Sequence, residues 1–510
     1  LQQKILGRMK ALNIKPVIQG FIGIVPTSLK NHFPNATLAE QGNWCGFARP
    51  AVLLPQGEPL FKKISSLYYK NFKALYGSDY YYLGGDLFHE GGNTKGIDLT
   101  ETAKLVQQNM QENFPGSIWV LQGWQSNPVT KILDGLDPKH TLILDLKGDD
   151  EENWLSRNQY QNFPWIWTTI TNFGGKTTSG GTLMRAYTET KKAEEKFGTS
   201  LLLQGTGIIP EGIENNAIVY QWALDRCWQK NIPDIQQNLD EFIEARYGVI
   251  NEDLRKGWQL LLQTIYSGYN PAITDGQGGY ESIFCARPDS NFITTTSCCG
   301  PTRLWYDPNL ITQAALCFEK AYKNLQNSET LQYDLTDTWR QAINLQGRIV
   351  YRNMMNAIQS KNIASFEKNK TAFTNLLLLQ DKWLGTNRMF RVGRWLEQAK
   401  NMMPNEDDKK LAEWNARAQI SFWGNDNLPN NILHDYANKE WQGLLKDLYL
   451  PRWNKFFEYQ AAKLYGSSTK YPDFFDMEKT WSQQNNIYTD TPQGNIMTIL
   501  GEIHTAILTN

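Results

Sequence analysis

Two short stretches of this chain carry acids in settings where acids do chemistry. In YYYLGGDLFHEGG (80–92), a tyrosine-rich apolar run ends on Asp86, His89 and Glu90, with the last two enclosed by glycine pairs that would let the backbone turn sharply. In LLLQGTGIIPEGIENN (201–216), a second apolar run leads to Glu211, ahead of a helical pattern with a stripe at Ile213, Ala217, Tyr220, Leu224 and Cys227. Other apolar runs end in Gln122-Gly123-Trp124, in Asp145 and in Asn172-Phe173-Gly174-Gly175. Two carboxylates on separate strand ends, beside Trp44, Trp124, Trp167 and amides, suit cleavage of a glycosidic bond. One protonates the departing oxygen and the other faces the anomeric carbon. Each residue also has an ordinary reading. A strand-end glutamate is commonly solvated or salt-bridged, and Asp86 and Asp145 could be structural acids accepting backbone N–H bonds. A metal-dependent hydrolase built on Asp86, His89 and Glu90 is a further reading, one that insensitivity to EDTA would remove.

The elements that must hold these residues change character along the chain. Candidate strands lie at 15–21, 80–88, 117–124, 141–148, 164–173 and 201–207. They are too uniformly apolar for a half-exposed antiparallel sheet, so parallel βα units are expected. Helical stretches separate them, such as 60–77 with apolar positions Leu60, Ile64, Leu67, Tyr68 and Phe72. This pattern predicts a (β/α)8 barrel over residues 1–230, in which catalytic groups sit at the carboxyl ends of the strands. A doubly wound sheet is the alternative, but no glycine fingerprint follows the first strand. The count gives about six of eight βα units. Residues 1–12 read as an amphipathic helix (Leu1, Ile5, Met9, Leu12), so the chain is expected to start inside a barrel whose first two strands lie upstream. From 231 to 510 the apolar period becomes helical, with a stripe at Ile343, Ile349, Val350, Met354 and Ile358, and an all-α domain is expected. Loop signals interrupt it at 267–280 and 422–431.

Composition excludes several classes. With 51 Lys+Arg against 52 Asp+Glu, the formal net charge is −1. There is neither the basic face that nucleic acid requires nor one for an anionic membrane. No apolar run reaches the roughly 18 residues of a membrane span. Six cysteines and five histidines show no metal-ligand spacing, so neither a metal nor a cofactor is expected. The vicinal pair Cys298-Cys299 is open to oxidation or to free thiols. The 18 Trp, 23 Tyr and 22 Phe fill cores in the plain reading and bind sugar faces in the sharper one.

Several longer motifs then occur together in one order: LYGSDYYYLGGDLFHE, WVLQGW, LILDLKGDD, WIWTTITNFGG, GTGIIPEGIENNAIVY and FWGNDNLPNNILHDYANKEWQGLL. In this set, which spans essentially the whole chain, the sequence resembles glycoside hydrolase family 89, the α-N-acetylglucosaminidases. The resemblance implies an exo-acting, retaining hydrolase of terminal α-linked N-acetylglucosamine. Glu90 would be the general acid/base and Glu211 the nucleophile, with carboxyl groups about 5–5.5 Å apart. It also implies sugar contacts from Trp44, His89, Trp124, Trp423, Ile432 and Tyr436, although the family often carries Asn where this chain has His89.

The family's small N-terminal domain and first barrel strands have no counterpart here. The 510 residues alone are therefore expected to be poorly stable or inactive unless an upstream segment completes the barrel. A non-catalytic sugar-binding remnant is the rival reading. The implied partner is a glycan ending in α-linked N-acetylglucosamine, with near-zero charge leaning toward neutral glycans; self-association into a homo-oligomer stays open. The implied location is exported: periplasmic or extracellular in bacteria, lysosomal in animals, with no signal segment in the chain itself.

Overall fold

The computed structural model describes every residue except Glu58, 269–276, Asp426, Asn430, Thr509 and Asn510. The two expected loops at 267–280 and 422–431 therefore lie partly outside the described residues. All six predicted strands form, as β1 (Val17–Gln19), β7 (Tyr82–Gly84), β8 (Ile118–Gly123), β9 (Thr141–Asp145), β10 (Trp165–Thr169) and β11 (Leu203–Ile208). Between β1 and β7 come the short strands β2 (Ile24–Val25), β3 (Leu38–Ala39) and β6 (Ala51–Leu53) of a small sheet. There too is a hairpin of β4 (Asn43–Trp44) and β5 (Phe47–Ala48).

The six predicted strands are hydrogen-bonded in the order β1-β7-β8-β9-β10-β11. Every pair is parallel, with Tyr82 opposite Val17 and Ile118, and Trp165 opposite Ile143 and Leu203. Spatial order equals chain order. A doubly wound sheet must reverse direction at a switch point, and this one never does, so the units are those of a barrel. Their shared core packs Ile18, Leu83, Trp119, Leu121, Ile143 and Trp165 together. Trp154 stacks on Trp165 at 5.8 Å, the rings nearly parallel.

Several expected burial patterns shift. The first helix is Gln2–Ala11, and its buried residue is Leu6, while Leu1, Ile5 and Leu12 face water. Helix Pro59–Tyr76 buries Phe61, Ser65 and Tyr69, one position off the expected stripe, and exposes Leu67. Trp167, expected beside the site, is 1% exposed and belongs to the core. Helix Ala217–Asp225 begins six residues after Glu211 and buries Ile218, Val219, Tyr220, Trp222 and Ala223. Ile213, Leu224 and Cys227 of the expected stripe are exposed.

By compactness the chain divides into two units. One holds Leu1–Ile170, Met184–Ile209 and Ala223–Ile232, and the other holds Thr171–Leu183, Pro210–Trp222 and Pro233–Asn510. The segments after β10 and β11 thus group with the helical half. That half is built on helices such as Glu329–Gln359 and Ile363–Leu384. Helix Ile235–Tyr247 starts where Asp234 accepts the Gln237 N–H and stops at left-handed Gly248, as cap chemistry requires. In Glu329–Gln359 the buried line runs through Ile343, Gly347, Val350 and Met354; Ile349 is exposed. All six cysteines are free thiols. Among the described residues, no helix is long and apolar enough to cross a membrane, and no cluster of metal-ligating side chains occurs.

Candidate active site

Glu90 belongs to the sheet-bearing unit. Strand β7 ends at Gly84 rather than running to Phe88, because Gly85 turns to φ +139°. A β-carbon there would meet the Gln19 side chain at 2.9 Å and Ile22 at 3.1 Å. Asp86 then accepts the Gln122 N–H from β8 at 2.8 Å, which ties the turn to the neighbouring strand. Burial pushes the Asp86 carboxyl up, against the lowering effect of that bond and of His89.

The flanking glycines were expected to supply the flexibility of this turn. Gly85 and Gly91 do turn, at φ +139° and +78°, and Phe88 and Glu90 also take left-handed backbone, at φ +55° and +50°. Non-glycine residues pay about 1–2 kcal/mol for that conformation, and such strain concentrates at working sites. The Trp124 indole donates to Glu90 Oε1 at 2.9 Å. His89 Nδ1 is buried with no hydrogen-bond partner among the described residues. Trp44 sits 39% exposed on the β4–β5 hairpin.

Glu211 belongs to the helical unit. Its carboxylate Oε2 accepts the Gly174 N–H at 2.6 Å and the Tyr436 hydroxyl at 3.0 Å. Its own N–H donates to the Asn172 carbonyl at 2.9 Å. Both Gly174 and Gly175 adopt positive φ, and a β-carbon on Gly174 would lie 2.1 Å from the Tyr436 carbonyl oxygen. Only glycine permits that approach. Asn172 is fixed in turn by donating to Asn215 Oδ1 at 2.7 Å and to the Lys176 carbonyl at 3.2 Å.

The DYANKE segment (435–440) alternates anchors with site residues. Asp435 and Glu478 both receive the buried Arg452, at 2.9 and 2.7 Å. Burial acts against ionisation of Asp435, yet Arg452 and His434 outweigh it and hold its carboxyl down to about 2. Tyr436 reaches Glu211, and burial together with that carboxylate pushes its phenol up, so it remains an O–H donor. Lys439 lies behind the glycine pair, its Nζ 3.5 Å from the Gly174 carbonyl, and burial lowers its amine to about 8. Glu440 pairs with Arg340 at 2.5 Å. The Trp423 ring lies 5.2 Å from that of Tyr436, and Ile432 is 57% exposed.

Each unit thus gathers its own share of the expected residues. Trp124 and His89 lie at Glu90, and Tyr436 with Trp423 lies at Glu211. The other strand-end acid, Asp145, is wholly buried beneath the sheet-bearing unit's surface. Burial pushes its carboxyl up to about 7. Two residues were not singled out in the sequence: Arg49, whose guanidinium meets the backbone of the Glu90 turn, and Lys439 behind Glu211. Lys439 lies inside the DYANK motif, where it could have been picked out. Arg49 sits in an unremarkable GFARP and could not.

Known proteins resemble this chain over almost its whole length. Residues 1–230 match the family described as the alpha-N-acetylglucosaminidase (NAGLU) TIM-barrel domain, and residues 239–506 match the NAGLU C-terminal domain. Human alpha-N-acetylglucosaminidase is 28% identical over 525 residues, covering 99% of this chain and 68% of the human protein. The structure of a family 89 glycoside hydrolase from Clostridium perfringens in complex with PUGNAc superposes with a TM-score of 0.93 at 31% identity. It covers 99% of this chain, which spans 58% of the bacterial one. A doubly Glu-to-Gln substituted form of the Clostridium perfringens enzyme, in complex with its substrate GlcNAc-alpha-1,4-galactose, matches at a TM-score of 0.92 and 31% identity. The chain belongs to the α-N-acetylglucosaminidase (NAGLU) family, glycoside hydrolase family 89, as a barrel-type α/β domain followed by a helical one.

Proposed function

We propose that this protein removes terminal, non-reducing α-linked N-acetylglucosamine from glycans with retention of configuration. Glu211 is the nucleophile and Glu90 the general acid/base. The observation that carries the reading is the paired polarity of the two carboxylates. Two donors, the Gly174 N–H and the Tyr436 O–H, aim at one oxygen of Glu211, while a single indole N–H meets Glu90.

The substrate's own stereochemistry explains why two protein carboxylates are needed. In an α-linked N-acetylglucosaminide the 2-acetamido group is cis to the leaving oxygen. It cannot reach the anomeric carbon from the opposite face. Glu211 would form that bond while Glu90 protonates the departing oxygen; Glu90 then takes a proton from water, which cleaves the glycosyl ester with a second inversion. Trp44, His89, Trp124, Trp423, Ile432 and Tyr436 are the residues proposed to hold the sugar. The unpartnered His89 Nδ1 is suited to a sugar hydroxyl.

The test is release of p-nitrophenol from its α-N-acetylglucosaminide by the full-length protein, by Glu90→Gln and by Glu211→Gln. The first-formed sugar anomer is followed by proton NMR. Activity in the unsubstituted protein, lost in both variants, with the α-anomer appearing first, is the expected result. The β-anomer first would overturn double displacement. Binding of sugar without turnover in any form would replace the enzyme by a binding protein.

A further inference from the structure

The Glu90 turn is held from outside its own strand. Arg49 Nη1 donates to the His89 carbonyl at 2.8 Å and Nη2 to the Glu90 carbonyl at 2.6 Å. Two carbonyls of consecutive residues are thus bridged by one planar fork, a geometry that a guanidinium supplies and an ammonium does not. The two bridged carbonyls lie on either side of the left-handed Glu90 α-carbon that carries the side chain.

Arg49 is itself fixed to the hairpin that carries Trp44. Its N–H closes the base of that hairpin on the Gly42 carbonyl at 2.8 Å. The tip is a two-residue turn, Cys45-Gly46, with both φ values positive. That pattern matches the twist of a tight hairpin. Two further bonds lace the same segment to the turn: Gln41 Nε2 donates to the Asn93 carbonyl at 3.2 Å, and Asn93 Nδ2 to the Glu40 carbonyl at 3.1 Å. The hairpin and the Glu90 turn therefore move as one piece, with Arg49 as their central link.

We propose that Arg49 is a positioning residue for the acid/base. By gripping the carbonyls of His89 and Glu90 it holds the strained turn that presents the Glu90 carboxyl, and it couples that turn to the Trp44 hairpin. The inference rests on Glu90 being the acid/base, and its test separates the two.

The test uses aryl α-N-acetylglucosaminides whose phenols differ in acidity, with unsubstituted protein, Glu90→Gln, Arg49→Met and Arg49→Lys. A misplaced acid hurts poor leaving groups most, because acidic phenols depart without a proton. Expected for Arg49→Met is a loss of kcat/KM of roughly 10²-fold on the phenyl glycoside, only a few-fold on the 2,4-dinitrophenyl glycoside, and azide acceleration on the latter. Arg49→Lys should keep the fold and show the same slope in weaker form, so it reads the proposal even where the methionine variant unfolds. An equal loss across all leaving groups, or none, would overturn the positioning role. If Glu90→Gln itself shows no dependence on the leaving group, the assignment of Glu90 fails first.

Discussion

The two carboxylates are supported in opposite ways. At Glu90 the strain falls on the working residue itself, at φ +50°, and one arginine on the backbone carbonyls restrains it. At Glu211 the strain is moved elsewhere. A left-handed non-glycine residue there is Asp435 at φ +55°, next to Tyr436, and its carboxylate is locked on a fully buried Arg452. One site is held by a local clamp, and the other by a buried ion network that fixes the partner of the carboxylate rather than the carboxylate. On the proposed roles, a Glu90 that changes between acid and base tolerates a thin support. On the same proposal, a Glu211 nucleophile that must meet one carbon atom gains from donors that cannot move.

The sharpest way to break the comparison is to remove each carboxylate and supply azide. Glu211→Gly and Glu90→Gly should each lose activity, the first by on the order of 10⁴- to 10⁶-fold. On an activated aryl glycoside the products should then diverge. Without the nucleophile, azide attacks opposite the aglycone and gives the β-glycosyl azide. Without the acid/base, it attacks the glycosyl ester and gives the α-azide. The same azide anomer from both variants would mean that the two residues do not hold different roles.

The support of Glu211 predicts a stability effect that the support of Glu90 does not. Asp435→Asn leaves Arg452 buried and short of an acceptor charge, which costs about 3–5 kcal/mol. Denaturant unfolding of the variant should show it, and activity should fall with it because Tyr436 loses its anchor. An unchanged midpoint would mean that Glu478 alone satisfies Arg452.

Asp145 gives the sheet-bearing unit a different dependence on pH. Its carboxyl is pushed up to about 7 by burial, so the folded state keeps a proton that the unfolded chain releases near its ordinary value of 3.8. The stability that Asp145 contributes is present below about pH 4 and is lost as pH rises through 7, at a few kcal/mol in all. Asp435, held down to about 2, works the other way. Its contribution is present above 3.8 and lost as pH falls through 2. Asp145→Asn should therefore flatten the decline in unfolding free energy between about pH 4 and 7, and a slope equal to that of the unsubstituted protein would refute the assignment.

Much of this was legible in the chain. Uniformly apolar runs located all six parallel strands, because strands buried on both faces leave no polar alternation. Helix faces were read less well. Leu6 rather than Ile5, and Phe61 rather than Leu60, point inward, since an amphipathic stripe leaves its register uncertain by a residue when apolar side chains also cover the flanks. Trp167 was misplaced for a related reason: an aromatic on a strand serves a core or a binding surface equally well in sequence. Arg49 was invisible because it acts on main-chain carbonyls, which carry no residue identity.

The finest test compares the donors themselves. Tyr436→Phe deletes one of two donors to Glu211 Oε2, and Trp124→Phe deletes the indole donor to Glu90 Oε1. A hydrogen bond to a charged group contributes about 1.5–3 kcal/mol, so Tyr436→Phe should lower kcat by roughly 10- to 100-fold, whatever the leaving group. Trp124→Phe should cost less in kcat/KM, about 10-fold on poor leaving groups and little on good ones, because on the proposed roles the first step needs Glu90 only to protonate the departing phenol. The kinetics of both variants across the aryl series decide it. If the tryptophan variant showed the uniform loss and the tyrosine variant the leaving-group slope, the roles of Glu90 and Glu211 would have to be exchanged.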